Sequence, residues 1–267
     1  MIHHAKKSLS QNFLKSGYAL RAMCDAASLT KDDAVLEIGP GKGALTAAFL
    51  DRGARVIAVE KDSDLVDYLN EKFTNEIGSG SLELIKGDIL DFDPEKNGLR
   101  KGKYKIIANI PYNITGLIIR RFLSEVVAPE VMVLLVQKEV AERIVSRGKK
   151  ESILSLSVQA YGTPKYIMKV PKRFFSPSPK VDSAIIAITT FSQPTFETRD
   201  QEEKFFAIIK AGFAHKRKVL RTNLESIAQR ESIDTTFEEC GISPKARAED
   251  IPFHLWQKIY AGMSTDI

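Results

Sequence analysis

The 267-residue chain carries a net charge of +5, and 43% of its residues are apolar, which is enough for a buried core. No stretch approaches the roughly 20 apolar residues that span a membrane, and the N-terminus lacks the apolar run of a secretory signal. Cys24 and Cys240 are far apart, without a CxxC or Cys/His cluster, which argues against a zinc site or a disulfide framework. We therefore expect a cytoplasmic protein without a structural metal.

Short apolar strands alternate with amphipathic helices over about the first 190 residues. Such alternation predicts an α/β fold, a doubly wound parallel sheet with helices on both faces. The predicted strands cover 35–38, 55–60, 82–85, 105–108, 131–136 and 184–190, and the predicted helices cover 44–50 and 65–73.

The pattern changes near Ser192, beyond which no strand pattern occurs. We therefore predict two domains, an α/β domain over 1–192 and a small helical domain over 193–267. The predicted helices of the second domain cover 201–214, 217–229, 235–240 and 252–261.

A glycine-rich turn follows the first strand and precedes a helix. Gly39, Gly41 and Gly43 lie in this turn, where the lack of a Cβ lets the backbone approach a ligand closely. Glu60 ends the next strand, 21 residues after Gly39, where a carboxylate can accept hydrogen bonds from both ribose hydroxyls. This much predicts a nucleotide-containing cofactor.

Three details favour S-adenosylmethionine over a dinucleotide. The glycines are spaced GxGxG rather than GxGxxG, and Glu37 precedes them within the strand. Asp88 follows the third strand, where it can accept a hydrogen bond from an adenine amino group. The alternative for the turn is an ordinary tight connection between a strand and a helix.

The segment Asn109-Ile110-Pro111-Tyr112 follows the fourth strand, at the edge where open α/β sheets bind ligands. An exocyclic amine of a purine is a poor nucleophile, because its lone pair is delocalised into the ring. The Asn109 side-chain carbonyl and the Ile110 backbone carbonyl can each accept one of its N–H groups. Pro111 makes the chain rigid, and Tyr112 can stack on a flipped base. The segment predicts methyl transfer to such an amine; its alternative is a simple proline turn.

Two flanking segments extend the predicted site. Gln11, Asn12 and Leu14 precede the first strand and could cover the cofactor, although a helix-capping segment is the alternative. Phe174 and Phe175 begin a proline-rich, basic loop before the last strand. We expect one of these two rings to be buried and the other to lie near the substrate base.

Basic residues concentrate between residues 165 and 223, where 12 lysines and arginines face five acids. Clustered positive charge is what contacts to phosphates require, although a basic solvated surface is the alternative. The predicted RNA contacts are Lys180, Lys216, Arg217, Lys218 and Arg221.

Seven segments, in order along most of the chain, resemble the ribosomal RNA adenine dimethyltransferase family. They are QNFL (11–14), EIGPGKGALT (37–46), VEKD (59–62), GDIL (87–90), NIPYNI (109–114), QKEVAERI (137–144) and SPSPKVDSA (176–184). The resemblance implies a Rossmann-like methyltransferase domain and a C-terminal domain that binds RNA or the ribosome. It also implies S-adenosylmethionine as cofactor and dimethylation of adenine N6.

The resemblance assigns roles to individual positions. Asn109, Ile110, Pro111, Tyr112 and one of the two phenylalanines would handle the adenine. The expected cofactor residues are Gln11, Asn12, Leu14, Gly39, Gly41, Gly43, Glu60, Lys61, Asp88, Ile89 and Asn109.

Within the family, three segments resemble the small-subunit branch: PSPKVDSA (177–184), FAHKRKVLRTNL (213–224) and GISPKARAEDIPFHLWQKI (241–259). That branch methylates two adjacent adenosines in a hairpin loop near the 3′ end of 16S-type rRNA. The expected partner is therefore small-subunit rRNA in a 30S-type subunit or precursor, bound by a monomer. The alternatives are the large-subunit, macrolide-resistance branch, a non-catalytic RNA-binding assembly factor, and a nicotinamide oxidoreductase that would leave the NIPY segment unexplained.

Overall fold

A computed structural model describes residues 12–148 and 150–263. Gln11 lies outside the described residues, so its predicted role remains a prediction. The chain divides into two compact units. The first contains the described residues up to Ala141 and Gly162–Ser192, and the second contains Glu142–Tyr161 together with the described residues from Gln193 onwards.

The first unit is built on a mixed seven-stranded sheet with the strand order β4-β3-β2-β5-β6-β9-β7. A separate pair of short strands, β1 and β8, runs antiparallel. The strands are β1 (Phe13–Leu14), β2 (Ala34–Ile38), β3 (Arg55–Glu60), β4 (Leu82–Lys86), β5 (Tyr104–Asn109), β6 (Val131–Gln137), β7 (Gly162–Val170), β8 (Phe175–Ser176) and β9 (Ser183–Thr190).

The helices cover the apolar faces of these strands in the first unit and pack on one another in the second. The first unit contains α1 (Gly17–Ala26), α2 (Ala44–Leu50), α3 (Ser63–Lys72), α4 (Thr74–Gly78) and α5 (Thr115–Leu123), and α6 (Lys138–Ile144) runs across the division. The second unit contains α7 (Ile153–Gln159), α8 (Arg199–Gly212), α9 (Leu220–Leu224), α10 (Arg230–Glu239) and α11 (Phe253–Met263). No described helix is both long and apolar enough to cross a membrane.

The α/β fold class is confirmed, with one correction to the predicted parallel sheet. Strands β2 to β6 run parallel, but β9 is antiparallel to both of its neighbours, β6 and β7. A parallel return requires a long crossover, usually a helix. The connection between β7 and β9 contains only a 3-10 turn and β8, so the chain returns in the opposite direction.

The division into units differs from the predicted domains over residues 142–161, which the sequence assigned to the first domain. The structure groups them with the helical unit because α7 belongs to its core. Leu156 and Ala160 are fully buried in one cluster with Phe205, Ile209 and Trp256. A 3.6-residue apolar pattern predicts a helix but does not indicate which core its apolar face joins.

The predicted helix over 217–229 is wrong in its extent. Only Leu220–Leu224 is helical there, because the chain before it forms an exposed basic loop and the chain after it turns towards α10. Leu220 and Leu224, four residues apart, are both fully buried, so the apolar periodicity is real but short.

Candidate active site

One cavity of about 570 Å³ lies at the carboxyl ends of the parallel strands, within the first unit. This volume is typical of a site for a small-molecule ligand. The strand order reverses between β2 and β5, where loops diverge and open α/β sheets bind ligands. The lining comes mainly from residues 12–15, 37–42, 59–61, 87–90 and 109–114, with Ser176.

The three glycines of the turn have different roles in the structure. Each has a positive φ, which a residue with a Cβ rarely adopts. A Cβ on Gly39 would meet no atom within 4 Å, and Gly39 lines the cavity, so open space lies where a side chain would stand. A Cβ on Gly41 would lie 3.0 Å from Cδ1 of Phe13, whose ring covers this part of the turn.

Gly43 does not line the cavity, although the sequence predicted it as a cofactor residue. A Cβ there would lie 2.5 Å from Cε2 of Phe73 and 2.9 Å from Cδ2 of Leu69. Gly43 is therefore required for close packing of the turn against α3, which the spacing of the glycines alone does not reveal.

Glu60 is buried at the end of β3 and binds the glycine turn. Its Oε2 accepts a hydrogen bond from the Gly41 N–H at 3.2 Å, and its Oε1 accepts one from the Asp62 N–H at 2.9 Å. Burial raises the pKa of Glu60 above its ordinary value. Each carboxylate oxygen has two lone pairs, so both retain the capacity to accept a further hydrogen bond from a ligand.

Glu37 also lines the cavity, from the end of β2 that precedes the glycine turn. Its side chain is buried, and Oε2 accepts a 2.6 Å hydrogen bond from Thr46 Oγ1 in α2. Burial raises the pKa of this carboxyl to about 8, so the group is mostly protonated at neutral pH. Glu37 thus presents a neutral polar group to the cavity.

Lys61 and Asp88 form an ion pair at the ends of β3 and β4. The distance from Nζ to Oδ2 is 2.8 Å, and the other carboxylate oxygen accepts a hydrogen bond from the Leu90 N–H at 3.0 Å. The hydrogen bond from Lys61 is the largest cause of the lowered pKa of Asp88. Asp88 is therefore ionised and accepts hydrogen bonds only, and the buried Ile89 lines the cavity next to it.

The side chain of Asn109 is oriented by the N-terminal segment. Its Nδ2 donates a hydrogen bond to the backbone carbonyl of Asn12 at 2.9 Å. This contact uses the donor end of the carboxamide, so Oδ1 is the end that can accept from a ligand. Ile110 and Pro111 follow in the cavity wall, and Tyr112 Oη is 2.7 Å from Ser183 Oγ.

Phe174 and Phe175 do not line the cavity. Phe175 is buried in the core, as expected for one of the two, whereas Phe174 is half-buried against the same core and Arg173 lies over its ring. The cavity lining therefore does not support the expectation that the other ring lies near the base, which stays a prediction. Successive side chains of a strand alternate in direction, so Ser176, which lines the cavity, sends Phe175 into the core.

Phe13 is the clearest cavity residue that the sequence did not select. It pairs with Ser176 across β1 and β8, its ring covers Gly41, and Lys42 Nζ lies 5.0 Å from the ring centroid. The available signal was its position between two predicted cofactor residues, Asn12 and Leu14. Both of these also line the cavity.

The predicted RNA contacts separate into two groups. Lys180 of the first unit, and Lys216, Arg217 and Lys218 of the second unit, are exposed. Arg221 instead forms an ion pair with Asp234, with 2.5 Å between Nη2 and Oδ2, and its side chain is only 22% exposed. Its charge is balanced within the helical unit, which argues against its predicted role as an RNA contact.

The fold and the site together define a class of protein. The glycine turn, the acids after β3 and β4 and the asparagine after β5 surround one cavity at the switch point of a doubly wound sheet. The arrangement is that of a Rossmann-like methyltransferase with an amide acceptor for its substrate. No group of three His, Cys, Asp or Glu side chains among the described residues could hold a metal ion.

Comparison with known proteins identifies the family within this class. A family model described as "Ribosomal RNA adenine dimethylase" matches residues 2–264. Ribosomal RNA small subunit methyltransferase A of Dehalococcoides mccartyi (strain CBDB1) is 41% identical over 97% of this chain and 89% of that protein. The protein of the same name from Rippkaea orientalis is 38% identical over 94% of both chains.

Two solved structures share the architecture. The 23S rRNA methyltransferase ErmE has a TM-score of 0.78 and 26% identity, with 95% of this chain and 100% of that chain covered. A dimethyladenosine transferase from Plasmodium falciparum has a TM-score of 0.81 over 95% of this chain and 98% of that chain, but at 23% identity it supports the fold alone.

The chain belongs to the ribosomal RNA adenine dimethylase family. It is an S-adenosylmethionine-dependent methyltransferase that dimethylates adenine in ribosomal RNA. The predicted family, enzyme class and cofactor are thereby confirmed, and the oxidoreductase alternative is wrong.

Proposed function

We propose that this enzyme dimethylates N6 of two adjacent adenosines in the 3′-terminal hairpin loop of small-subunit rRNA. We further propose that it acts as a monomer in the cytoplasm, on a 30S-type subunit or its precursor. The relatives named as small-subunit enzymes support this choice of subunit, since they reach 41% identity against 26% for the 23S enzyme. For the chemical step, the oriented carboxamide of Asn109 is the observation on which the proposal rests.

The residues around the cavity fit S-adenosylmethionine. Gly39 leaves open the space that a Cβ would fill, and Glu60 and Asp88 are hydrogen-bond acceptors on two successive strand ends. Glu60 would bind the ribose hydroxyls and Asp88 the adenine amino group. The remaining residues proposed to hold the cofactor are Asn12, Leu14, Gly41, Lys61, Ile89 and Asn109, all of which line the cavity.

S-adenosylmethionine, when bound, supplies a methyl group that its sulfonium already activates. The task of the protein is therefore to orient the substrate amine rather than to supply a strong base. Asn109 Oδ1 and the Ile110 carbonyl would each accept one N–H of adenine N6. With both N–H groups engaged in the first transfer, the nitrogen turns from its planar, conjugated form towards one in which the lone pair is available, and it releases one proton to solvent on gaining the methyl group. The second transfer starts from N6-methyladenine, whose single remaining N–H would be held by one of the two acceptors.

Tyr112 is the proposed stacking platform for the flipped adenine. Its Oη forms a 2.7 Å hydrogen bond with Ser183 Oγ, which fixes the orientation of the ring. The ring therefore does not have to reorient when the base binds. Neither Phe174 nor Phe175 lines the cavity, so Tyr112 is the aromatic residue we assign to the base. An aromatic face accepts any base, so the choice of adenine would depend on the two N–H acceptors.

Lys180, Lys216, Arg217 and Lys218 are proposed to bind rRNA phosphates, which provide affinity without sequence information. Their exposed cations fit this role, and the internal ion pair of Arg221 does not.

Incubation with tritiated S-adenosylmethionine tests the proposal on two substrates, unmethylated small subunits and unmethylated large-subunit rRNA. Nuclease digestion then identifies the labelled nucleoside and its position. We expect two labelled adjacent adenosines in the small subunit and none in the large. Label in the large-subunit rRNA alone would favour the other branch of the family, and no label in either substrate would favour a non-catalytic assembly factor.

A further inference from the structure

The loop that joins α8 to α9 presents three cations to solvent. We define residues 213–219 as the basic loop; Lys216, Arg217 and Lys218 are its exposed cations. Among the described residues, no carboxylate forms an ion pair with these three side chains. Their charge is therefore available to an external anion, unlike that of Arg221, which Asp234 neutralises.

A buried side chain holds the first half of this loop from inside the helical unit. Asn223 of α9 is 3% exposed, and its Nδ2 donates to the carbonyl of Gly212 at 2.6 Å and to the carbonyl of His215 at 3.2 Å. The His215 carbonyl also accepts the N–H of Lys218 at 3.0 Å. One amide group thus connects the end of α8 to the turn that carries the cations.

A second side chain holds the next position of the loop. Arg247 Nη2 donates to the carbonyl of Lys216, and Nη1 of the same guanidinium lies 3.4 Å from Glu249 Oε1. Beyond the loop, the N–H of Leu220 donates to the Ala246 carbonyl at 2.8 Å. The segment around Arg247 therefore holds the basic loop at Lys216 and again just beyond its end.

These hydrogen bonds all use backbone groups of the loop and its ends and leave the cationic side chains exposed. A loop whose backbone is already fixed loses little conformational freedom when its side chains bind phosphates, which raises affinity without any new interaction. We propose that Asn223 and Arg247 are positioning residues that hold the basic loop in the conformation that binds RNA phosphates. This inference rests on the proposed RNA-binding role of Lys216, Arg217 and Lys218.

The experiment compares Arg247→Met with Arg230→Met in the full-length protein. Arg230 also lies in the helical unit, where its Nε is 3.9 Å from Glu225 Oε1, and no hydrogen bond among the described residues joins its side chain to the loop. Both variants lose one positive charge, so their difference reports the support of the loop. Affinity for unmethylated small subunits is measured over a range of salt concentrations, and trypsin cleavage after the loop cations reports how well the loop is fixed.

We expect Arg247→Met to bind about tenfold more weakly than Arg230→Met, with the same dependence on salt, because the loop retains its three cations. Trypsin should cleave the loop faster in Arg247→Met alone. Arg247→Lys keeps the charge and one donor, and should fall between the wild type and Arg247→Met. Asn223→Leu, which keeps the size and the neutrality of the side chain but loses both donors, should also bind more weakly without a change in salt dependence.

The triple variant Lys216→Ala, Arg217→Ala, Lys218→Ala separates the two levels of the proposal. It should reduce the salt slope by about 0.7–0.9 for each phosphate that the variant no longer neutralises. An unchanged slope would overturn the RNA-binding role of the loop itself. A reduced slope in the triple variant, together with equal affinities of Arg247→Met and Arg230→Met, would overturn only the positioning role. A reduced slope in Arg247→Met would also overturn that role, because Arg247 would then bind a phosphate itself.

Discussion

Replacement of Asn109 by alanine removes both ends of a carboxamide that the structure uses for two purposes. Nδ2 donates to the Asn12 carbonyl at 2.9 Å, and Oδ1 is the proposed acceptor for one N–H of the target adenine. Without Oδ1, the amine can relax towards its planar form, in which the lone pair is delocalised. The loss should therefore affect the methylation step more than the binding of RNA.

The magnitude follows from what each end contributes. One well-aligned hydrogen-bonding group at a reacting centre is worth about 3–4 kcal/mol, so the rate should fall roughly 10²–10³-fold. Loss of the hydrogen bond to Asn12 should lower the free energy of unfolding by only about 1 kcal/mol. The affinity for RNA should change little, because the proposed phosphate-binding residues lie elsewhere.

Single-turnover methylation of unmethylated small subunits at saturating S-adenosylmethionine measures this step directly. Asn109→Asp is the matched control, because it keeps an acceptor oxygen and removes the donor to Asn12, so its rate should fall less than that of Asn109→Ala. Wild-type rates in Asn109→Ala would refute the mechanism. Equal losses in both variants would mean that the donor end, and not the acceptor, is the important one.

Four further variants test other parts of the site. Gly43→Ala should lower the free energy of unfolding by about 2–4 kcal/mol in urea titrations, because its Cβ would collide with Phe73 and its φ is positive. Gly39→Ala should chiefly weaken the binding of S-adenosylmethionine, which calorimetry measures, because its Cβ would enter the open space of the cavity. Glu60→Gln should weaken that binding about 10–100-fold through loss of a charge-assisted hydrogen bond, and unchanged affinity would remove Glu60 from the site. Glu37 has a folded-state pKa of about 8 against an ordinary 4.5. Between these two pH values the folded state holds a proton that the unfolded state has released. The free energy of unfolding of the wild type should therefore fall by about 2–5 kcal/mol as the pH rises from 4.5 to 8. Glu37→Gln should lack this decline, and an equal decline in both proteins would contradict the buried, protonated carboxyl.

Most of the strands that the sequence predicted are buried on both faces of the sheet. Strands β2, β3, β5 and β6 are covered on both faces, so their sequences are nearly continuous apolar runs with recognisable ends. Strand β7 was missed because Pro164, Lys165 and Lys169 interrupt its apolar pattern, whereas β4, at the opposite edge of the sheet, keeps Leu82, Leu84 and Ile85 and was predicted.

The site shows the same limit at the level of single residues. Glu60, Asp88 and Asn109 could be predicted because each lies at or just after the end of a strand, and all parallel strands end at one edge. Arg221 could not be excluded in advance, since its partner Asp234 lies 13 residues away on another helix. The packing role of Gly43 could not be predicted either, because its contact with Phe73 depends on how α3 packs and not on the spacing of the glycines.

The grouping of residues 142–161 with the helical unit affects the order in which the chain can mature during its synthesis. Strands β7 and β9 complete the first sheet once residue 190 has emerged, whereas Leu156 and Ala160 have left the ribosome earlier and still lack most of their neighbours. Those neighbours, from Phe205 to Met263, are synthesised after the strands of the sheet. Until those neighbours have been made, the apolar side chains of α7 have no complete core to join, and truncation at the apparent boundary near residue 192 would leave Leu156 and Ala160 without that core permanently.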